Sequence, residues 1–293
     1  MTAPVLADAL GPRARRRVAV ASVVSGIGIV VVVALAIRRL EQRDQLLAEL
    51  WEPFTQWPIW RFLLGGLRNT VQVAIVSMLL SIGFGIVLAL GRLAQTPLVR
   101  LPFRVWVEFF RGVPLLLLIF FSALALPQYG IDVSLFWYLV IGLTLYNSAV
   151  LGEIFRAGIL SLERGQTEAA LAIGLTYWQA MLRVIMPQAF RRMVPSIVSQ
   201  LVTLLKDTSL GFVIGFEELL RRANILGVAR KNLLQSLVVA ALMYMLVNMV
   251  LSRVARRLEV RQRRRYSATG IAVAGVEDLA VVAAHGDAAT TDD

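Results

Sequence analysis

Ionisable side chains inside long apolar runs are where this chain could do chemistry, and Lys206–Asp207 is the foremost pair. A charge at membrane depth is costly to bury, so it marks a binding or conduction path by default. A zwitterionic solute would offer a carboxylate to Lys206 and an ammonium to Asp207. The competing reading sends Lys206 outward to the membrane surface and lets Asp207 cap a turn with Thr208 and Ser209. Asn147 and Ser199 also lie in apolar runs and are weaker candidates, because such residues commonly bond one helix to another. Glu108 with Arg111, and Glu153 with Arg156, are spaced i, i+3 and fit structural ion pairs at a membrane boundary.

Catalytic machinery is missing. The 293 residues contain no cysteine, and the single histidine, His285, falls in a polar tail. Thiol chemistry and cysteine-based metal sites are thereby excluded, and the usual general base is absent from the apolar regions. No glycine-rich loop ends in Gly-Lys-Ser/Thr, and the two lysines, Lys206 and Lys231, follow Leu205 and Arg230. The chain therefore carries no phosphate-binding loop of its own. No catalytic or metal-binding residue is assigned, and no cofactor is expected on this chain.

The elements that position these residues are membrane helices. Hydrophobic residues make up 58% of the chain, and the apolar runs reach the roughly 20 residues that a hydrocarbon core of about 30 Å requires. The expected fold is an all-α integral membrane protein with six spans, at 18–37, 70–90, 105–126, 133–152, 193–220 and 232–251. The formal net charge of +11 does not point to nucleic acid, because the arginines cluster at the ends of apolar runs rather than on one surface. That clustering puts residues 1–17, a loop around Pro97 and Pro102 (92–104), a loop at 153–192 and the tail 258–293 in the cytoplasm, with both termini inside. Span 18–37 is longer than a signal-peptide core and reads as a retained, accessory helix. The segment 38–63, with Trp51, Trp57 and Trp60, suits a membrane interface or a plain linker equally. In span 70–90, Ser77, Ser81, Gly85 and Ala89 form a small-residue stripe that lets another helix approach. Span 193–220 is expected to break at Lys206–Asp207, with its helix starting near Pro195. The arginines from Arg253 to Arg265 anchor the last span and could hold anionic headgroups; the tail 258–293 reads as disordered.

One cytoplasmic stretch is amphipathic rather than apolar. Residues 161–190 predict two short helices, the first over 166–173 and stopped by Gly174, a residue at ease in the left-handed region. The second opens on a capping box of Thr176 and Gln179. Trp178, Met181, Leu182 and Ile185 then fall at i, i+3, i+4 and i+7 on one apolar stripe, and Pro187 ends it. Such a face fits either the bilayer surface or a partner protein.

The string Gly165-Gln166-Thr167-Glu168-Ala169-Ala170, then Gly174-Leu175, then Met186-Pro187-Gln188-Ala189 resembles the EAA loop of permease subunits of ATP-binding-cassette (ABC) importers. Glu108-Phe109-Phe110-Arg111-Gly112-Val113-Pro114, Glu153-Ile154-Phe155-Arg156-Ala157-Gly158 and Lys206-Asp207-Thr208-Ser209-Leu210 are similar to the polar amino acid branch of that family. The resemblance covers residues 64–257. It implies a type I ABC importer transmembrane domain, a five-helix core plus one N-terminal accessory span, in the bacterial cell membrane. It also implies that Gly165, Gln166, Glu168, Ala169, Ala170, Gly174 and Pro187 contact a separate ATPase dimer, which would bind the ATP and magnesium. A second permease subunit, an extracytoplasmic amino-acid-binding protein and membrane lipids complete the implied partners. The substrates of that branch are glutamate, glutamine, basic amino acids and cystine, with glutamate or glutamine favoured. An ion- or proton-coupled carrier is the alternative; it predicts an internal repeat and several intramembrane acids, which the sequence lacks. A membrane scaffold or enzyme would need a reactive constellation that is likewise missing.

Overall fold

The computed structural model describes residues 11–162, 164–254, 256 and 257, and all regular structure among them is helical. The tail 258–293, with His285 and Arg261 to Arg265, lies outside the described residues, as do residues 1–10. Helix α1 (Pro12–Glu41) takes up the arginines Arg13 to Arg17 that the sequence suggested were a separate polar segment. Pro12 in the first turn suits that start, since its missing N–H would have had no helical acceptor. None of the apolar window of α1 is buried against the rest of the chain, as expected of an accessory span.

Between α1 and α2 the chain is stapled rather than free. Two 3₁₀ turns, Ala48–Leu50 and Glu52–Thr55, carry it. The amides of Asn232 and Gln235 donate to the carbonyls of Leu50 (2.9 Å) and Gln45 (2.6 Å), and Trp60 Nε1 donates to Phe54 (2.7 Å). Helix α2 (Trp57–Arg92) then begins thirteen residues before the expected 70. Gly66 is needed there for close contact: a Cβ on it would stand 3.0 Å from Leu219 Cα and 3.1 Å from the Glu218 carbonyl.

The expected 105–126 span is not a single helix. Helix α3 (Pro97–Gly112) and helix α4 (Leu115–Leu124) meet at a bend of 98°. Val113 precedes Pro114 and is extended (φ −80°, ψ 131°), which the proline ring imposes on its neighbour. The arginine loop supposed at 92–104 is correspondingly short, because Pro102 lies inside α3. Helix α5 is Leu135–Leu160, α6 Arg164–Ala172, α7 Tyr177–Ala180 and α8 Met186–Asp207. Helix α9 (Leu219–Ala229) leads to α10 (Leu233–Val254). Five of these helical segments are long and apolar enough to cross a membrane, and the bent α3–α4 pair makes a sixth.

The core is the seam between α2 and α5. Ser77, Ser81, Gly85 and Ala89 are all buried there, as the small-residue stripe foretold. A Cβ on Gly85 would meet Leu151 Cβ at 3.0 Å, and one on Gly152 would meet Leu88 Cβ at 3.2 Å. The two backbones thus approach where neither carries a side chain. Around the seam, Phe155, Met181, Ile185, Ala189, Met193 and Leu204 form one continuous apolar cluster joining α5 to α8.

Candidate functional site

Two surfaces matter, and α8 joins them. The first is the amphipathic stretch. Helix α6 ends in a Schellman turn: Leu175 N–H donates to Ala170 (3.2 Å) and Gly174 N–H to Leu171 (3.0 Å). Gly174 is left-handed, at φ +88°. The capping box of the next helix is also present, with Thr176 N–H donating to Gln179 Oε1 (3.0 Å) and Gln179 N–H to Thr176 Oγ1 (3.4 Å). Gln188 Nε2 donates to Gln166 Oε1 (3.2 Å), and Arg192 Nη1 to the Ser161 carbonyl (3.3 Å). Those two bonds tie the start of α6, and the residue that ends α5 just before it, to α8.

Past Thr176 the chain departs from the sequence reading. Helix α7 does not stop at Pro187 but runs through a π turn, Met181–Ile185, straight into α8. The wider i→i+5 turn takes up the carbonyls that Pro187, with no N–H and a bulky ring, cannot serve. It also splits the apolar stripe. Met181 and Ile185 are buried in the core, whereas Trp178 and Leu182 point outward, 55% and 58% exposed. Leu171 and Ile173, which the sequence reading passed over, join them on the surface, Ile173 at 78% exposed. Gly165, Gln166, Glu168, Ala169, Gly174 and Pro187 are exposed, and only Ala170 is buried. Exposed apolar side chains and an exposed carboxylate thus share one loop, which is tied to α8 where α6 begins.

The second surface is the far half of α8. From Met193 to Asp207 its exposed positions are Ser196, Ser199, Thr203 and Lys206, every one polar. At 100° per residue these four fall on one face. Other membrane helices expose apolar side chains instead: Ile75, Leu79, Phe84 and Val87 on α2, and Leu242, Met245, Leu246 and Val250 on α10. Thr203 Oγ1 donates to the Ser199 carbonyl (3.3 Å), a bond within the helix that leaves the hydroxyl on the surface. Ser196 and Thr203 were missed because neither is charged; the seven-residue interval from Ser199 to Lys206 was the available signal.

Helix α8 ends at Asp207 and passes into the 3₁₀ turn Thr208–Ile214, closed by left-handed Gly215 (φ +82°). The break expected at Lys206–Asp207 is there, although the helix begins at Met186, well before Pro195. Thr208 and Ser209 hydroxyls donate to the carbonyls of Leu205 and Lys206 (2.7 Å each), so they and not Asp207 close the helix. Asp207 is half-buried and Lys206 exposed. Asn147 is fully buried; its amide donates to Leu143 (2.8 Å) and its oxygen accepts from Gln200 Nε2 (2.8 Å). It thereby lies in the α5–α8 seam, off the exposed polar face.

Behind both surfaces Glu153 gathers three guanidiniums. Arg156 Nη2 lies 2.6 Å from its Oε1, Arg92 bonds Oε2, and Arg111 approaches Oε2 to 3.9 Å. Glu153 and Arg156 pair as expected. Glu108 does not pair with Arg111: it takes Arg104 at 2.7 Å, one turn back along α3, while Arg111 approaches Glu153 on α5.

Among the described residues the chain is a bundle of membrane-length helices in which a polar-faced helix continues from an amphipathic loop. Residues 81–264 match the family model described as the binding-protein-dependent transport system inner membrane component, and the chain belongs to that family. It is 45% identical over 69% of its length to the probable glutamine ABC transporter permease protein GlnP of Bacillus subtilis, covering 94% of that protein. It is 38% identical over 77% of its length to the glutamate transport system permease protein GluD of Corynebacterium glutamicum, covering 84%. The arginine transport system permease protein ArtQ of B. subtilis is 36% identical over 68% of this chain and 91% of its own. Among solved structures, an amino acid ABC transporter crystallised with histidines superposes with a TM-score of 0.65 at 28% identity, covering 69% of this chain and 94% of that one. The fold is that of type I ABC importer transmembrane subunits, and the chain groups with the permeases of polar amino acid transporters.

Proposed function

We propose that this chain forms the membrane path of an ATP-driven importer of polar amino acids, with glutamate or glutamine as substrate. The observation that carries the proposal is the all-polar exposed face of α8. A helix face of Ser196, Ser199, Thr203 and Lys206 is unsuited to lipid and suited to a watered path or to the seam with a second permease subunit. Lys206 supplies the cation for a substrate carboxylate, and Asp207, half-buried beside it, accepts an ammonium. Asn147 holds Gln200, and with it the wall of the path. Glutamine and glutamate permeases among the relatives support that substrate class.

The loop supplies the coupling. A stroke delivered by an ATPase moves a membrane helix only through a stiff link, and here the Schellman turn, the capping box and the Gln166–Gln188 bond stiffen it. Because α7 runs unbroken into α8, displacement of the loop is displacement of the polar face. Gly165, Gln166, Glu168, Ala169, Ala170, Gly174 and Pro187 form the docking region, with Ile173, Trp178 and Leu182 giving apolar contact. ATP and magnesium sit on a partner ATPase dimer; a second permease copy or paralogue and an extracytoplasmic binding protein complete the assembly. Residues 64–257 act as the transport domain and α1 as an accessory span, with the loop and both termini on the cytoplasmic side as the arginine placement requires.

ATP-driven uptake of labelled glutamate, glutamine and arginine by proteoliposomes holding the full transporter tests this. Wild type is expected to accumulate one of the first two. Glu168→Lys is expected to insert and assemble but lose ATP-driven uptake, and Lys206→Met to lose uptake with ATPase recruitment intact. Uptake without ATP by this chain alone would instead establish a carrier.

A further inference from the structure

Three guanidiniums face one carboxylate where α2, α3 and α5 meet, leaving two positive charges uncompensated. Both oxygens of Glu153 are already taken, Oε1 by Arg156 and Oε2 by Arg92. Arg111 stands 3.9 Å away, too far for a hydrogen bond, and its side chain is 49% exposed. A guanidinium held in that state beside apolar surface gains from an anion that completes its shell.

The surface beside it is shaped for chains. The α3–α4 elbow borders an open apolar hollow of about 600 Å³, lined by Phe110, Val113, Leu117, Phe121, Leu124 and Leu145, so that Arg111 lies between two of its lining residues in sequence. A second apolar hollow of about 450 Å³, between Phe84, Val87 and Trp106, also reaches Leu145. The two hollows share Leu145, the first lying along the end of α3 and α4 and the second between α2, α3 and α5. Helix α4, with ten residues, rises about 15 Å, which is the depth of one leaflet.

We propose that the α3–α4 elbow binds one anionic phospholipid, its phosphate on Arg111 and its acyl chains in the two hollows that meet at Leu145. The charge excess selects the headgroup, and the pair of hollows selects a two-chain lipid over a free anion. Seated there, the lipid ties the elbow to Glu153, seven residues before the end of α5, and so to the helix that leads into α6.

Native mass spectrometry of the assembled transporter, given equal amounts of phosphatidylglycerol and phosphatidylcholine, tests the site. Wild type is expected to retain one phosphatidylglycerol per permease in preference to phosphatidylcholine. Arg111→Gln keeps the Arg92–Glu153–Arg156 bonds and is expected to lose about fivefold in that preference, the factor given by about 1 kcal/mol per basic residue at a membrane surface. Leu117→Trp fills the elbow and is expected to lower retention of both lipids. Arg104→Gln removes an equal charge from α3 away from Glu153 and is expected to leave the preference intact. Equal retention of the two lipids by wild type, or the same loss in Arg104→Gln as in Arg111→Gln, would overturn the proposal. So would displacement of the lipid by millimolar inorganic phosphate, which would mark a simple anion site, or exclusion of all lipid by the second permease. If Arg111→Gln fails to assemble, Leu117→Trp decides alone: a phosphatidylglycerol adduct that survives it refutes the site.

Discussion

Gly174 is the position where a small change should separate coupling from folding. Its φ of +88° is in the left-handed region, and nothing stands within 4 Å of a Cβ built there. Substitution therefore brings no clash, only the backbone cost of holding a side chain in that conformation, about 1–2 kcal/mol. That cost shifts the balance between the Schellman turn and a frayed one by roughly 5- to 30-fold. A frayed turn releases Leu175 from Ala170 and moves the capping box that follows. The membrane helices are untouched, so the melting temperature of the purified permease should stay within a degree or two of wild type. ATP-driven uptake in proteoliposomes should fall, and in a set order: Gly174→Asn least, because asparagine tolerates the left-handed region, then Gly174→Ala, and Gly174→Val most. Valine with full uptake, or asparagine as poor as valine, would refute the claim that this turn transmits the stroke.

The other expectations concern the frame. Gly142→Leu should lower the melting temperature by several degrees, since its Cβ would lie 2.9 Å from Ile119 Cα and backbone cannot yield as a side chain can; the overpacking costs about 1–3 kcal/mol. Gly83→Ala, with open space around it, is the matched control and should melt like wild type. Glu153→Gln leaves Arg92 and Arg156, 13% and 30% exposed, without their carboxylate and should destabilise by about 1–3 kcal/mol, less than a fully buried pair. Because partly exposed charges are screened, its deficit measured by thermal unfolding should narrow in high salt. Asn147→Leu strands the Gln200 amide and should cost about 1–3 kcal/mol of stability without changing which amino acid is carried; a changed substrate preference would put Asn147 in the path after all.

What the sequence disclosed and what it hid follow from the range of the interactions involved. The Gly174 turn and the Thr176–Gln179 box were legible because their donors and acceptors lie within six residues of one another. The small-residue stripe of α2 was legible because its period is that of the helix itself. The fate of Pro187 was not. Pro187 has no N–H to give the turn before it, and the widening of that turn at Met181–Ile185 goes with the burial of Met181 and Ile185 in the cluster that joins α5 to α8, a contact no local pattern contains. That one turn decides the mechanics. Had α7 stopped, the loop would have been a separate paddle joined to the membrane domain by a flexible link. Continuous with α8, it is the end of the helix whose other half bears Ser196, Ser199, Thr203 and Lys206. The approach of Arg111 to Glu153 was hidden for the same reason: the two are remote in sequence and meet only where α3 packs beside α5. Pro187, read locally as a helix end, lies instead inside the lever that joins the loop to the polar face.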